Sequence, residues 1–182
     1  MKKYELTTNT KMCFGRKLFQ IRALKDFDNV KAGDLGGYIE KEENLSHNGD
    51  SWVFGNASIF GGAWVFGNAS IYGDAWVFGD AWVFGDAHVY GDAWVYGNAH
   101  VYGDAWVSSD ADYICFKGFG SKNRNTTMFR TKNGDVYVCC GCFEGSLKEF
   151  AEKVKETHDT SKYAKEYMAC VEVAKIHFEI DD

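Results

Sequence analysis

The densest cluster of reactive side chains in the 182-residue chain is one short run, Cys139-Cys140-Gly141-Cys142. Cys139 and Cys142 have the two-residue gap at which a pair of thiolates grips one side of a tetrahedral zinc ion. That supplies half a site. Cys115 and His158 are the candidates to complete it, with Gly141 turning the chain toward the helix that carries His158. A structural zinc held by Cys139, Cys142, His158 and Cys115 is therefore one expectation. The competing reading makes Cys140 an ordinary buried thiol, because it follows Val136 and Val138 at strand spacing. His158 then becomes a core histidine on an apolar helix stripe. Cys142 also lies shortly before a helix start, where the helix dipole lowers a thiol's pKa, but no His-Asp pair can be placed beside it from sequence.

A second chemical feature is the glycine-rich basic stretch Lys117-Gly118-Phe119-Gly120-Ser121-Lys122-Asn123-Arg124, with Arg130 and Lys132 close by. Lys117, Lys122 and Arg124 suit a phosphate or an acidic partner, although the spacing is not that of a nucleotide-binding P-loop. A solvated hairpin loop is the simpler reading. The net charge of −6 gives no overall basic field, so direct nucleic-acid binding is expected only through this loop.

The elements that must position these groups are dominated by a repeat. The unit Gly-[Asp/Asn/Gly]-Ala-[Trp/Ser/His]-[Val/Ile]-[Phe/Tyr] recurs every six residues, placing its aliphatic residue at Val53, Ile59, Val65, Ile71, Val77, Val83, Val89, Val95, Val101 and Val107. Ile39 and Leu45 keep the same beat, followed by a two-residue slip, and Ser109-Asp110-Ala111-Asp112-Tyr113 reads as a degenerate closing unit. A period of six rotates around a helix of 3.6 residues per turn, so the repeat excludes an α-helical stripe. In extended chain the aliphatic residue and the small residue two before it point inward, and the Gly-Asx pair provides the bend. Three bends close a triangular coil, and coils stack about 4.8 Å apart.

Folding the sequence by 18 puts the outward residues in ladders. One face carries Trp52, Ser70, His88 and Trp106 beside Phe54, Tyr72 and Tyr90; the second carries Ser58, Trp76 and Trp94 beside Phe60, Phe78 and Tyr96. The third carries Trp64, Trp82 and His100 beside Phe66, Phe84 and Tyr102. This is more apolar surface than a monomer ordinarily exposes, so a second copy, a foreign protein or a flat ligand is expected to cover at least one face. The bland alternative is ring stacking between coils with wet edges. Two corner columns, Asp50, Asn68, Asp86, Asp104 and Asn56, Asp74, Asp92, Asp110, read as solvated edges, the second with a conceivable divalent cation.

The repeat resembles the hexapeptide-repeat, left-handed β-helix superfamily, and the left hand comes from that resemblance. The superfamily implies an alternative function, a trimeric acyltransferase using coenzyme A with a histidine base. His88 and His100 are the histidines of the regular run, but they fall on different faces, and no inserted loop walls off a site between 53 and 107. The full layout resembles a group of bacteriophage and prophage proteins. It shares their leader like Arg16-Lys17-Leu18-Phe19, the lead-in Lys31-Ala32-Gly33-Asp34-Leu35-Gly36-Gly37-Tyr38-Ile39, the Gly-Asp-Ala hexads and a tail like Gly141-Cys142-Phe143-Glu144-Gly145. That resemblance implies association, not chemistry: capture of a protein partner such as a host defence factor, as anti-CRISPR proteins do.

The expected architecture is thus mainly β. Residues 1–38 form an N-terminal β cap with a shielding strand near Lys17–Leu24, 39–112 the parallel β-helix, and 113–182 a small α+β module. In that module Asn133-Gly134 marks a hairpin turn into Val136–Cys140, Ser146-Leu147-Lys148-Glu149 has capping-box spacing, and a second helix spans about Lys162 to Phe178. The opening residues lack a signal-peptide core, and no stretch has the apolar length of a membrane span. A soluble, cytoplasmic chain with reduced cysteines is the expectation. The expected function is that of a non-enzymatic interaction protein; a structural assembly element built by self-association through the aromatic faces is a further alternative.

Overall fold

The computed structural model describes residues 2–180. Met1, Asp181 and Asp182, the outermost residues of the expected cap and C-terminal module, lie outside the described residues. Ten two-residue strands, from Trp52–Val53 to Trp106–Val107, form a parallel β-solenoid of about four turns. Successive strands go to three different sheets. Trp52, Ser70, His88 and Trp106 pair in series on the first; Ser58, Trp76 and Trp94 on the second; Trp64, Trp82 and His100 on the third. Partners lie 18 residues apart, the separation that also joins Asn68 to Asp86 at a corner.

The interior follows from side-chain alternation. Every repeat alanine from Ala57 to Ala105 and every aliphatic residue from Val53 to Val107 is buried in one continuous core. Each coil hangs on the next through amide-to-carbonyl bonds such as Trp64 N to Ala81 O at 2.9 Å and Phe66 N to Val83 O at 3.1 Å. At the corners Asn68 donates its side-chain amide to the Asp86 carboxylate at 3.0 Å, so one asparagine replaces a like-charge contact with a hydrogen bond.

The N-terminal end is closed by the chain itself. Strands Tyr4–Cys13 and Arg16–Ala23 form an antiparallel hairpin, which pairs with Leu35–Ile39 and so continues the second solenoid sheet through Ser58–Ile59. Only the second of these strands is legible in the sequence. The irregular first circuit, Ile39 to Ile59 and Leu45 to Val65, absorbs the slip seen before Val53. Trp52 departs from expectation: it is 1% exposed, not displayed, because Tyr4 and Phe27 pack on it at 6.1 and 5.3 Å. Beside it Lys3 is buried and donates to Ser51 O at 2.7 Å and Gly49 O at 3.2 Å. Burial pulls its pKa down to about 8.

The C-terminal module is a four-stranded antiparallel sheet of Tyr113–Phe119, Arg124–Arg130, Val136–Cys140 and Phe143–Ser146, followed by α1 (Leu147–His158) and α2 (Lys162–His177). The capping box at Ser146 forms as its spacing predicts, with Ser146 accepting from the Glu149 amide. Met128, Val138 and Cys140 meet Phe150, Val154, Tyr167 and Val171 on the helix side. The other side is no free appendage. Phe129 enters the solenoid core, Tyr137 packs against it, and Thr131 bridges to Ala105, so this sheet is the second end cap. The closing repeat unit is also corrected: Asp110–Asp112 form a 3-10 turn and Ala111 is exposed. No helix among the described residues is long and apolar enough to cross a membrane.

Two glycines separate backbone conformation from coil contact. A Cβ at Gly79 (φ +73°) would sit 2.9 Å from Gly97 N, whereas at Gly97 (φ +70°) nothing lies within 4 Å. Both alanine substitutions incur the left-handed cost of about 1–2 kcal/mol, and only Gly79→Ala also forces coils apart. Urea unfolding should therefore rank wild type above Gly97→Ala, and Gly97→Ala clearly above Gly79→Ala. Equal losses for the two variants would contradict the coil spacing.

Candidate binding surface

The third face brings together most of the ring residues expected on it. Phe66, Phe84 and Tyr102 form one column, with centroids 4.7 and 4.6 Å apart and planes within 10°. In the parallel column Trp82 stacks on His100 at 5.2 Å, while Trp64 stands edge-on to Trp82 at 5.6 Å and folds over Phe66 at 4.1 Å. Rings stacked at the coil spacing spend their faces on each other and leave mainly hydrogen-bearing edges outward. Within the Phe66–Phe84–Tyr102 column a flat ligand therefore finds no open slot between rings.

The chain covers parts of all three faces with its own residues. Phe14, at the tip of the N-terminal hairpin, touches Phe60, Trp76, Phe78 and Trp94 on the second face. Trp52 lies under Tyr4 and Phe27 on the first. Tyr102, expected to meet a partner, is instead 8% exposed beneath Phe129 and Tyr137. Trp64 and Trp82 remain 37% and 41% exposed. None of these covers is visible in the repeat, because each comes from a distant segment; the one local hint is the Phe14-Gly15 turn.

The basic loop divides. Lys117 donates to the Asn98 side chain at 2.9 Å, at a solenoid corner. Lys122 and Arg124 line a cavity of about 330 Å³ next to His100, Thr127 and Cys139, and so sit at the C-terminal end of the Trp64–Trp82–His100 column. The His100 amide donates to Thr127 Oγ1 at 3.1 Å, and burial lowers the pKa of its imidazole. His88 is held between Tyr72 at 5.9 Å and Trp106 at 4.8 Å, and its pKa is also lowered, by burial and then by Lys132. The two histidines occupy different sheets and do not converge within one chain.

The zinc candidates are split by the C-terminal sheet. Cys115 and Cys139 both oppose Thr127, on the solenoid side. His158 lies on the helix side, stacked on Tyr167 at 5.7 Å, and Cys142 is exposed at the Gly141-Cys142 turn. Cys140 faces the helices, within reach of the Thr126 hydroxyl at 3.1 Å, as the strand alternation predicts. Among the described residues no three His, Cys, Asp or Glu side chains are grouped to hold a metal. Burial pushes the Cys115 and Cys139 thiols up, away from the thiolate form that a metal or a nucleophile needs. The corner column also changes: the Asp110 carboxylate accepts from the Trp94 amide at 2.8 Å and does not extend a ladder of corner carboxylates.

In comparison with known proteins, no family model and no curated protein matches the chain.

Cysteine exposure provides a direct check on this arrangement. In native protein N-ethylmaleimide should label Cys142 and, more slowly because its thiol is pushed up, Cys115, with Cys13, Cys139, Cys140 and Cys170 reacting only after unfolding. Peptide mass mapping reads the outcome, and prompt labelling of Cys139 or Cys140 in folded protein would contradict the sheet's placement.

Proposed function

We propose that the chain is a non-enzymatic, phage-type binding scaffold whose third face docks a protein partner, and that this partner is a host defence factor. The left-handed, three-hexapeptide form of the solenoid belongs to the same proposal. The observation that carries the docking reading is the pair Trp64 and Trp82, left half-open on a ladder whose neighbours are held by stacked rings. Indoles fixed on a rigid support lose little entropy on binding and commonly anchor interfaces. The side chains of Lys122 and Arg124 at the end of the same column make no hydrogen bond or ion pair among the described residues, and they favour a partner with an acidic patch. The resemblance to bacteriophage proteins supplies the partner's class, and His88 and His100, set in ring ladders on different sheets, do not converge on a common site as acyl transfer would need.

The test begins with sedimentation equilibrium on the purified chain, followed by affinity capture from the natural host and calorimetry with the purified captured protein. Trp64→Ser/Trp82→Ser should weaken binding by at least about tenfold, as expected for central aromatic anchors. Its melt should drop by only the modest cost of lost ring contacts, about 1 kcal/mol per pair. Lys122→Glu/Arg124→Glu should slow association. Unchanged affinity in both variants, or a wild-type oligomer that buries Trp64 and Trp82 between copies, would overturn the reading.

A further inference from the structure

A second cavity lies on the opposite, helix side of Arg124, between the Ser121–Arg124 loop, the Gly141-Cys142 turn and both helices. Its volume is about 330 Å³, at the small end of ligand pockets. Its walls are mainly rings: Phe143 lies 5.2 Å from Phe150, Phe150 meets Tyr167 edge-on at 5.6 Å, and His158 stacks on Tyr167 at 5.7 Å. Its charged lining is cationic, formed by Lys122, Arg124 and Lys153, and no acidic residue lines it among the described residues. Lys153 shares Glu156 at 2.9 Å on the outer surface of α1. Lys122 and Arg124 have no such partner.

Arg124 is held in place by the turn beneath it. Gly141 has φ +65°, and a Cβ there would overlap the Arg124 side chain, its Cδ at 2.8 Å. The bare turn thus lets the guanidinium lie across it, between the two cavities. An unpaired guanidinium over an aromatic-walled pocket offers a charge-assisted site for an oxyanion and an edge-to-face site for a ring.

We propose that this pocket binds a small aromatic anion, a single ring bearing a phosphate or carboxylate head, with Arg124 and Lys122 on the head and Phe150 and Tyr167 against the ring. The pocket shares Lys122 and Arg124 with the end of the docking face but opens on the helix side of Arg124, and neither Trp64 nor Trp82 lines it.

Phenyl phosphate is the probe, with inorganic phosphate and phenol as its two halves. Cys142 lines the cavity and Cys115 does not, so alkylation by N-ethylmaleimide reads occupancy on a folded, full-length chain. Phenyl phosphate should protect Cys142 and leave Cys115 reactive, while either half alone protects weakly. Arg124→Gln should weaken that protection by at least about tenfold, the loss of one charge-assisted contact. Thr157→Trp, an exposed position at the rim, should abolish it by filling the mouth. Lys148→Gln on the same helix and Trp64→Ser/Trp82→Ser should leave it unchanged. Absence of protection, protection that survives both Arg124→Gln and Thr157→Trp, or equal protection by inorganic phosphate would each overturn the proposal.

Discussion

Backbone hydrogen bonding between coils is the constraint that the rest of this structure obeys. From Trp52 to His88 the outward-ladder amides donate to carbonyls in the following coil, as Trp52 N does to Ala69 O at 3.0 Å and Ser70 N to Ala87 O at 2.9 Å. Such a ladder satisfies its interior completely and leaves unpaired groups only at its ends. Both ends are accordingly closed by segments that break the repeat. At the C-terminal end, the Trp94 amide takes the Asp110 carboxylate, the His100 amide takes Thr127 Oγ1, and Asp104 O accepts from Lys132 N at 3.0 Å. Asp110 keeps its place in the repeat while its role changes from corner to cap.

The same spacing decides how the aromatic surface behaves. Coils repeat at about the centroid separation of two offset-stacked rings, so identical outward positions bring rings into stacked contact, as with Phe60 and Phe78 at 5.0 Å and Trp76 and Trp94 at 4.8 Å. Stacking lowers the cost of exposing these residues without removing it, because their edges still meet water. The chain reduces that cost further with Phe14, Tyr4, Phe27, Phe129 and Tyr137. The rings left most open are Trp64, Trp82, Trp94, Tyr96 and the covering Phe14 itself. Of these, Trp64 and Trp82 share their column with His100, beside which Lys122 and Arg124 lie.

Much of this solenoid was legible in the sequence because its contacts are periodic. The spacing of Val53 through Val107 places each residue on one of three walls, and the observed pairs Val65 with Val83 and Val83 with Val101 follow from that alone. The capping box at Ser146 and the hairpin at Gly134 were legible for a similar reason, being local chemistry. The candidate sites were less so. Whether Cys139 and His158 share a face depends on how one sheet is sandwiched between a solenoid and two helices, and no local pattern encodes that sandwich. Trp52 and Tyr102 obey the repeat, yet they are buried by residues dozens of positions away. The strand Tyr4–Cys13 was invisible because its polar run Thr7-Thr8-Asn9-Thr10 gains its structure from pairing with Arg16–Ala23.

The central claim, that three outward ladders arise from a circuit of 18 residues, is tested most directly by removing one circuit. Deleting residues 73–90 should leave every remaining residue on its original face and both caps seated, giving a shorter protein that unfolds cooperatively with the same far-ultraviolet circular dichroism shape. Deleting residues 73–84 rotates everything downstream onto the wrong wall, so the C-terminal cap loses its seat and cooperative unfolding should be lost. Equal stability of the two deletions, or failure of the first alone, would contradict the account.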